Sequence, residues 1–152
     1  MHGVSKITST DNMMLISVAD ADAVSMAKTL HELAKAGVVV DMISQSAPMG
    51  GSISFSFTAP YSFFETALGA IGPESGPAGP KPMVSGGYAK IYLFGEEMVE
   101  RFGVASRALD VLLGAKVDIS LITTSDLDIS LLVRQEDTDV AVEALKKEFE
   151  IK

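Results

Sequence analysis

The sequence predicts an α+β protein made of two ferredoxin-like units in tandem, each a βαββαβ sandwich. Three observations lead there. The two halves of the 152-residue chain repeat the same order of apolar patterns. The repeat holds its register along the strands, and a glycine- and proline-rich stretch falls between the copies. That stretch, Gly72 to Gly87, contains four of the six prolines and five of the thirteen glycines. It has few side chains able to offset the entropy of ordering it, so it reads as a linker. The expected organisation is a first domain over 1–80, the linker over 72–87 and a second domain over 88–152.

Each element has a local reason. The first copy opens with the apolar run MMLISVA at 13–19, a strand. Val24, Ala27, Leu30 and Leu33 or Ala34 then recur at helical spacing. Gly37 follows that helix and suits its C-terminal cap. Two strands come next, VVVDMISQS and SISFSFT, and a closing helix FFETALGAI begins at Ser62-x-x-Glu65, a capping-box pattern. The second copy opens with AKIYLFG at 89–95. Its helix is marked by Val104, Ala108, Leu109, Leu112 and Leu113, its strands are KVDISLITTS and LDISLLV, and Asp137 is placed to cap the last helix. Leu15 corresponds to Ile91 and Ile53 to Ile129, both 76 positions on, whereas Val38 corresponds to Val117, 79 positions on. The second copy thus gains three residues between strand and helix and loses three in its hairpin, and insertions confined to loops fit a duplicated fold. Each copy lacks one strand of the full sandwich; Val4–Thr8 and Pro82–Ser85 are the segments expected to supply them.

Composition narrows the chemistry. A formal charge of −8 with no run of lysine and arginine argues against a nucleic-acid partner. Zero cysteines exclude thiolate chemistry and disulfides and fit a cytoplasmic protein. No apolar run approaches the roughly 20 residues that span a bilayer, so no membrane partner is expected. The two histidines are His2 and His31, the latter pointing away from the apolar stripe of its helix. No metal-ligand spacing, phosphate-binding glycine pattern or activated nucleophile is present, so no metal, cofactor or catalytic residue is expected. Asp20-x-Asp22 and Asp126-x-Asp128 pair carboxylates, but solvated turn and cap positions account for both. Binding of a small zwitterion is the better prospect, because helix N–H groups suit a carboxylate and acidic side chains an ammonium. The loops entering the two first helices, Ala19–Val24 and Gly95–Gly103, are the corresponding places. Asp20 and Asp22 could attract a cation there, although spacing alone favours capping of the helix.

At these loops and strands the sequence resembles the tandem ACT regulatory region of aspartokinases. The first copy reads Val38-Val39-Val40-Asp41-Met42-Ile43-Ser44-Gln45 and then Ser52-Ile53-Ser54-Phe55-Ser56, similar to the family's VNIDMIxQ and DISFT. The second reads Val117-Asp118-Ile119-Ser120-Leu121-Ile122-Thr123-Thr124-Ser125-Asp126 and then Ile129-Ser130-Leu131, similar to VNIELISTSE and ISV. The resemblance runs from about Met14 to the C-terminus. It implies a regulatory, non-catalytic chain that pairs as a homodimer, binds lysine or threonine, and acts on an aspartokinase catalytic chain.

By position in the family motifs, the resemblance implies effector-binding roles for Gln45, for Asp118 and Ile119, and for Ser125 and Asp126. The family's Asp-x-Pro-Gly loop falls on Ala21, Asp22, Ala23 and Val24, and on Phe102-Gly103 in the second copy. Valine at position 24 places a side chain where glycine would let backbone approach a ligand. Asp118 stands where the family carries asparagine, replacing a donor–acceptor with a charged acceptor. A structural dimerisation module with a decayed effector site is the alternative reading.

Overall fold

The computed structural model describes residues 3–72 and 80–152. The chain forms two compact units, one of Asn12–Gly86 and one of Met1–Asp11 with Gly87–Lys152. Two strands serve both units: β1 (Lys6–Ala21) and β4 (Met83–Phe94). The chain leaves one unit for the other at Asn12 in β1 and Gly87 in β4, and both residues are left-handed, with φ of 56° and 85°.

In the unit of Asn12–Gly86, the later part of β1 is followed by α1 (Ala23–Lys35), β2 (Ile43–Gln45), β3 (Ile53–Pro60), α2 (Phe64–Ile71) and the start of β4. The sheet order is β2-β3-β1-β4. Antiparallel pairing sets Met14 opposite Ala59, Ile16 opposite Phe57 and Val18 opposite Phe55. Alternation along a strand turns all six to one face. There they form the core with Leu33 of α1 and with Ala67 and Ile71 of α2, while Val84 of β4 packs against it. Past Val18 the register slips by one residue before Ala21 pairs with Ile53, and Asp20, at φ 51°, lies in this bulge. The short β2 is preceded by a segment tied down through buried Thr58. Its hydroxyl accepts from the Met42 N–H at 2.9 Å, and its carbonyl accepts from the Asp41 N–H at 2.8 Å.

The other unit combines the first part of β1 with the rest of β4, then α3 (Val104–Gly114), β5 (Ile119–Thr124), β6 (Asp128–Arg134) and α4 (Thr138–Glu148). Its order is β1-β4-β6-β5. Ala89, Ile91 and Leu93 face Val133, Leu131 and Ile129 across the β4–β6 ladder, and all six are buried. Val4 and Ile7 join this core, and the Ser5 N–H donates to the Phe94 carbonyl at 2.8 Å. Gly95 is what lets the N-terminal segment pass: a side chain there would overlap the Gly3 carbonyl. Arg107 of α3 closes the unit by bonding Glu148 Oε1 at 2.8 Å, with its guanidinium 5.2 Å from the Phe149 ring centre.

Several local expectations need correction. The first helix turns Met26, Thr29, Leu30 and Leu33 inward, whereas Val24 is 61% exposed and Ala27 and Ala34 face solvent. Thr29 can be buried because its hydroxyl donates to the Ser25 carbonyl at 2.8 Å. In the second copy Leu112 is buried and Leu113 is exposed. The capping box at Ser62 does not form: residues Tyr61–Phe63 make a 3-10 turn, and Phe63 precedes α2 without a side-chain cap. Asp137 precedes α4 but caps nothing with its carboxylate; the Thr138 hydroxyl bonds the Gln135 carbonyl instead. Of the stretch expected to be linker, 73–79 lie outside the described residues, and Met83–Gly87 are in β4. Glycine has a packing role in this part of the strand, since the Tyr61 ring lies against Gly86 where a Cβ would be.

Candidate functional site

The two copies differ at the start of their first helices. In the first, Asp22 is the N-cap of α1, and its Oδ1 accepts the Ser25 N–H at 2.7 Å. That backbone donor holds the Asp22 carboxyl below its ordinary value, with a smaller contribution from the charge of Lys28. Ala23 and Val24 form the exposed first turn, and Asp20 is exposed in the bulge. Gln45, also exposed, ends β2 opposite Phe55, which itself pairs with Val18. Gln45 is therefore two strands from Val18, about 10 Å across the sheet. His31 is exposed, and His2 lies outside the described residues.

In the second copy the equivalent helix start is open. Gly103 is the N-cap of α3, left-handed at φ 78°, with no side chain to cap. The first helical bond is from the Arg107 N–H to the Gly103 carbonyl, so the N–H groups of Val104, Ala105 and Ser106 have no partner within the helix. These residues line a cavity of about 350 Å³ whose other walls are Met98, Val99, Arg101, Thr124, Ser125, Asp126 and Ile129. The turn carrying Ser125 and Asp126 is fixed from within. The Ser125 N–H donates to the Asp128 carbonyl at 2.9 Å, and Ser125 Oγ accepts from the Leu127 N–H at 3.3 Å. A second backbone bond, from the Gly95 N–H to the Leu127 carbonyl, ties this turn to the end of β4.

The structure thus brings Ser125 and Asp126 together with the α3 N-terminus. Asp118 and Ile119 are at the opposite end of β5, where Ile119 pairs with Val133. Six positions of extended chain, about 20 Å, separate Ile119 from Ser125. Asp20, Asp22, Ala23, Val24 and Gln45 belong to the other unit. Sequence reasoning named the loop Gly95–Gly103 as a binding place but did not single out Met98 or Arg101 within it, nor Thr124. The readable signal was the three-residue insertion before α3, which forms the 3-10 turn Glu96–Glu100. Among the described residues no group of three His, Cys, Asp or Glu could hold a metal ion. No helix among them is long and apolar enough to cross a membrane.

The fold is that of an ACT-type unit, and residues 91–149 match the model of the ACT domain family. The likeness extends over nearly the whole chain to the regulatory part of aspartate kinases. An aspartokinase of Corynebacterium glutamicum is 28% identical over 162 residues, covering 99% of this chain and 36% of its own length. A solved structure of aspartokinase alpha and beta subunits superposes with a TM-score of 0.84 at 26% identity, covering 97% of this chain and 99% of that one. The regulatory subunit of aspartate kinase from Thermus thermophilus, in a ligand-free form, gives a TM-score of 0.85 at 24% identity, with coverage of 97% and 99%, and supports the fold. The chain spans about a third of the length of the curated relatives it matches, 30% of one and 36% of another.

Proposed function

We propose that this chain is a non-catalytic sensor of amino acids that regulates an aspartate kinase catalytic chain, responding to lysine or threonine as a cytoplasmic homodimer. The observation that carries the reading is the end-to-end likeness to a chain of the solved aspartokinase alpha and beta subunits, at 26% identity. The uncapped α3 start supports it, because N–H groups opening into a cavity suit a carboxylate and Asp126 suits an ammonium. Ser125 and Asp126 are the leading effector contacts. Asp118 and Ile119, and in the other unit Asp20, Asp22, Ala23, Val24 and Gln45, serve where a partner copy or a second ligand meets those edges. Regulation requires that the effector bind one arrangement of the regulated assembly more tightly than another, since equal affinity shifts nothing.

A second reading, a dimerisation module without an effector, has a specific observation in its favour for the first copy. Asp22 already occupies its own helix start, and Val24 projects from the first turn. Thermal melting of the purified chain against each of the twenty amino acids separates the two. A ligand at a hundred times its dissociation constant stabilises the native state by about 2.7 kcal/mol. A rise in Tm with one or a few amino acids is expected, and no shift with any of them at millimolar concentration refutes the sensor.

A further inference from the structure

Arg101 follows the inserted turn Glu96–Glu100 and is held at two points. Its stem runs beside Gly3: a Cβ built on Gly3 would be 3.5 Å from Arg101 Cδ and 3.7 Å from Arg101 Cβ. Its Nε donates to Glu97 Oε2 at 3.1 Å. Among the described residues no other hydrogen bond engages its guanidinium, which leaves the terminal nitrogens as a fork. Arg101 lines the 350 Å³ cavity together with Ser125 and Asp126. The cavity wall therefore carries one fixed cation and one anion, Asp126, while the carboxylate of Glu97 is engaged by Arg101 itself.

A guanidinium held through Nε presents two parallel N–H donors that match a carboxylate, whereas an ammonium would offer only a point charge. We propose that Arg101 is the carboxylate anchor of this cavity and selects α-amino acids whose side chains carry no positive charge. Asp126 takes the α-ammonium, and on the wall of this cavity a second ammonium on the ligand would meet Arg101 and the positive end of α3. The inference rests on the sensor reading and deepens it by assigning a ligand class to one cavity.

Calorimetric titration of the full chain with L-threonine, L-lysine and L-threoninol, which lacks the carboxylate, tests it. The unsubstituted chain is expected to bind threonine at least about tenfold more tightly than threoninol, the scale of one charge-assisted pair, and to bind lysine no more weakly after Arg101→Gln. Arg101→Gln should lose about tenfold or more for threonine, leave threoninol unchanged, and melt within about 2 °C of the parent, because exposed ion pairs contribute little to stability. Arg101→Lys should retain part of the threonine affinity and confirms folding independently. Threonine binding that Arg101→Gln leaves intact, or tighter binding of lysine to the parent that Arg101→Gln abolishes, overturns the inference and spares the sensor reading. No binding of any amino acid to the parent overturns both.

Discussion

Replacing Val4 by alanine, a change at the N-terminus, should destabilise the unit built mainly from the C-terminal half. Val4 is completely buried in the core that contains Ile91, Leu131 and Leu145. The substitution removes two methyl groups, about 1.6 kcal/mol at about 0.8 kcal/mol per carbon. A residual cavity of about 40 Å³ would add about 1 kcal/mol if the surroundings do not collapse. The expected loss is therefore about 1.6–2.6 kcal/mol, or about fifteen- to eightyfold in the opening equilibrium. Amide hydrogen exchange reads this residue by residue. Protection of Leu131 and Leu145 should fall by that factor, and protection of Phe57 and Leu33, in the other core, by less. Thr8→Ala, at an exposed position of β1, is the control and should stay within about 0.5 kcal/mol. Unchanged protection at Leu131 and Leu145 in Val4→Ala would refute the assignment of the N-terminal segment to that core.

Three further outcomes follow from single residues. Asp22→Ala should lower Tm at neutral pH, with the deficit shrinking in acid. The Asp22 carboxyl is held below its ordinary value, so its stabilisation is present above the unfolded-state pKa and disappears as pH falls through the folded one. Melting of parent and variant from neutral pH to below pH ~3 checks the convergence. Gly103→Ala meets no atom within 4 Å but forces alanine into φ 78°. It should cost about 1–2 kcal/mol, whereas Gly103→Asn should cost less, as read by denaturant unfolding. Gly86→Ala would place a Cβ against the Tyr61 ring and should cost about 1–3 kcal/mol. Combining it with Tyr61→Ala should recover part of that loss, which a double-mutant cycle measures.

Strands with strong alternation were legible in the sequence. Met14, Ile16 and Val18, or Ile91 and Leu93, carry their own burial pattern, but the equal spacing of the copies did not give their partners: half-buried Leu15 pairs with Thr58, whereas buried Ile91 pairs with Leu131. The first seven residues of β1, Lys6–Asn12, were harder to recognise, because Ile7 is their only large apolar residue. Their place is set by pairing with β4, after Gly3 and Val4 have passed close to Gly95, and neither leaves a local composition signal. Helix faces were legible only to within a rotation of part of a turn. Capping of α1 by Asp22 sets its start, and buried Thr29, satisfied by the Ser25 carbonyl, breaks the purely apolar stripe. For the site, Ser125 and Asp126 could be named from the motif they end. Arg101 could not, since its role depends on the insertion that carries it, on the missing side chain at Gly3 and on Glu97 four residues earlier.

The two units share one topology yet offer different chemistry at the same point in it. In the first, an anion belonging to the chain itself already occupies the helix start: a ligand carboxylate reaching the α1 amides must displace Asp22 from the Ser25 N–H. It would also bring a second negative charge beside the first, with the charge of Lys28 the one cation acting on Asp22. In the second, glycine leaves the corresponding amides free, and the insertion adds Arg101 to the wall beside them. On the proposed reading, an anion would be better accommodated at α3 than at α1. A cationic ligand would have the reverse preference, meeting Asp20 and Asp22 at α1 and Arg101 at α3. The chain holds two similar frames, and the residues at the loop entering each helix, Asp22 in one and Gly103 with Arg101 in the other, give the two helix starts different charge.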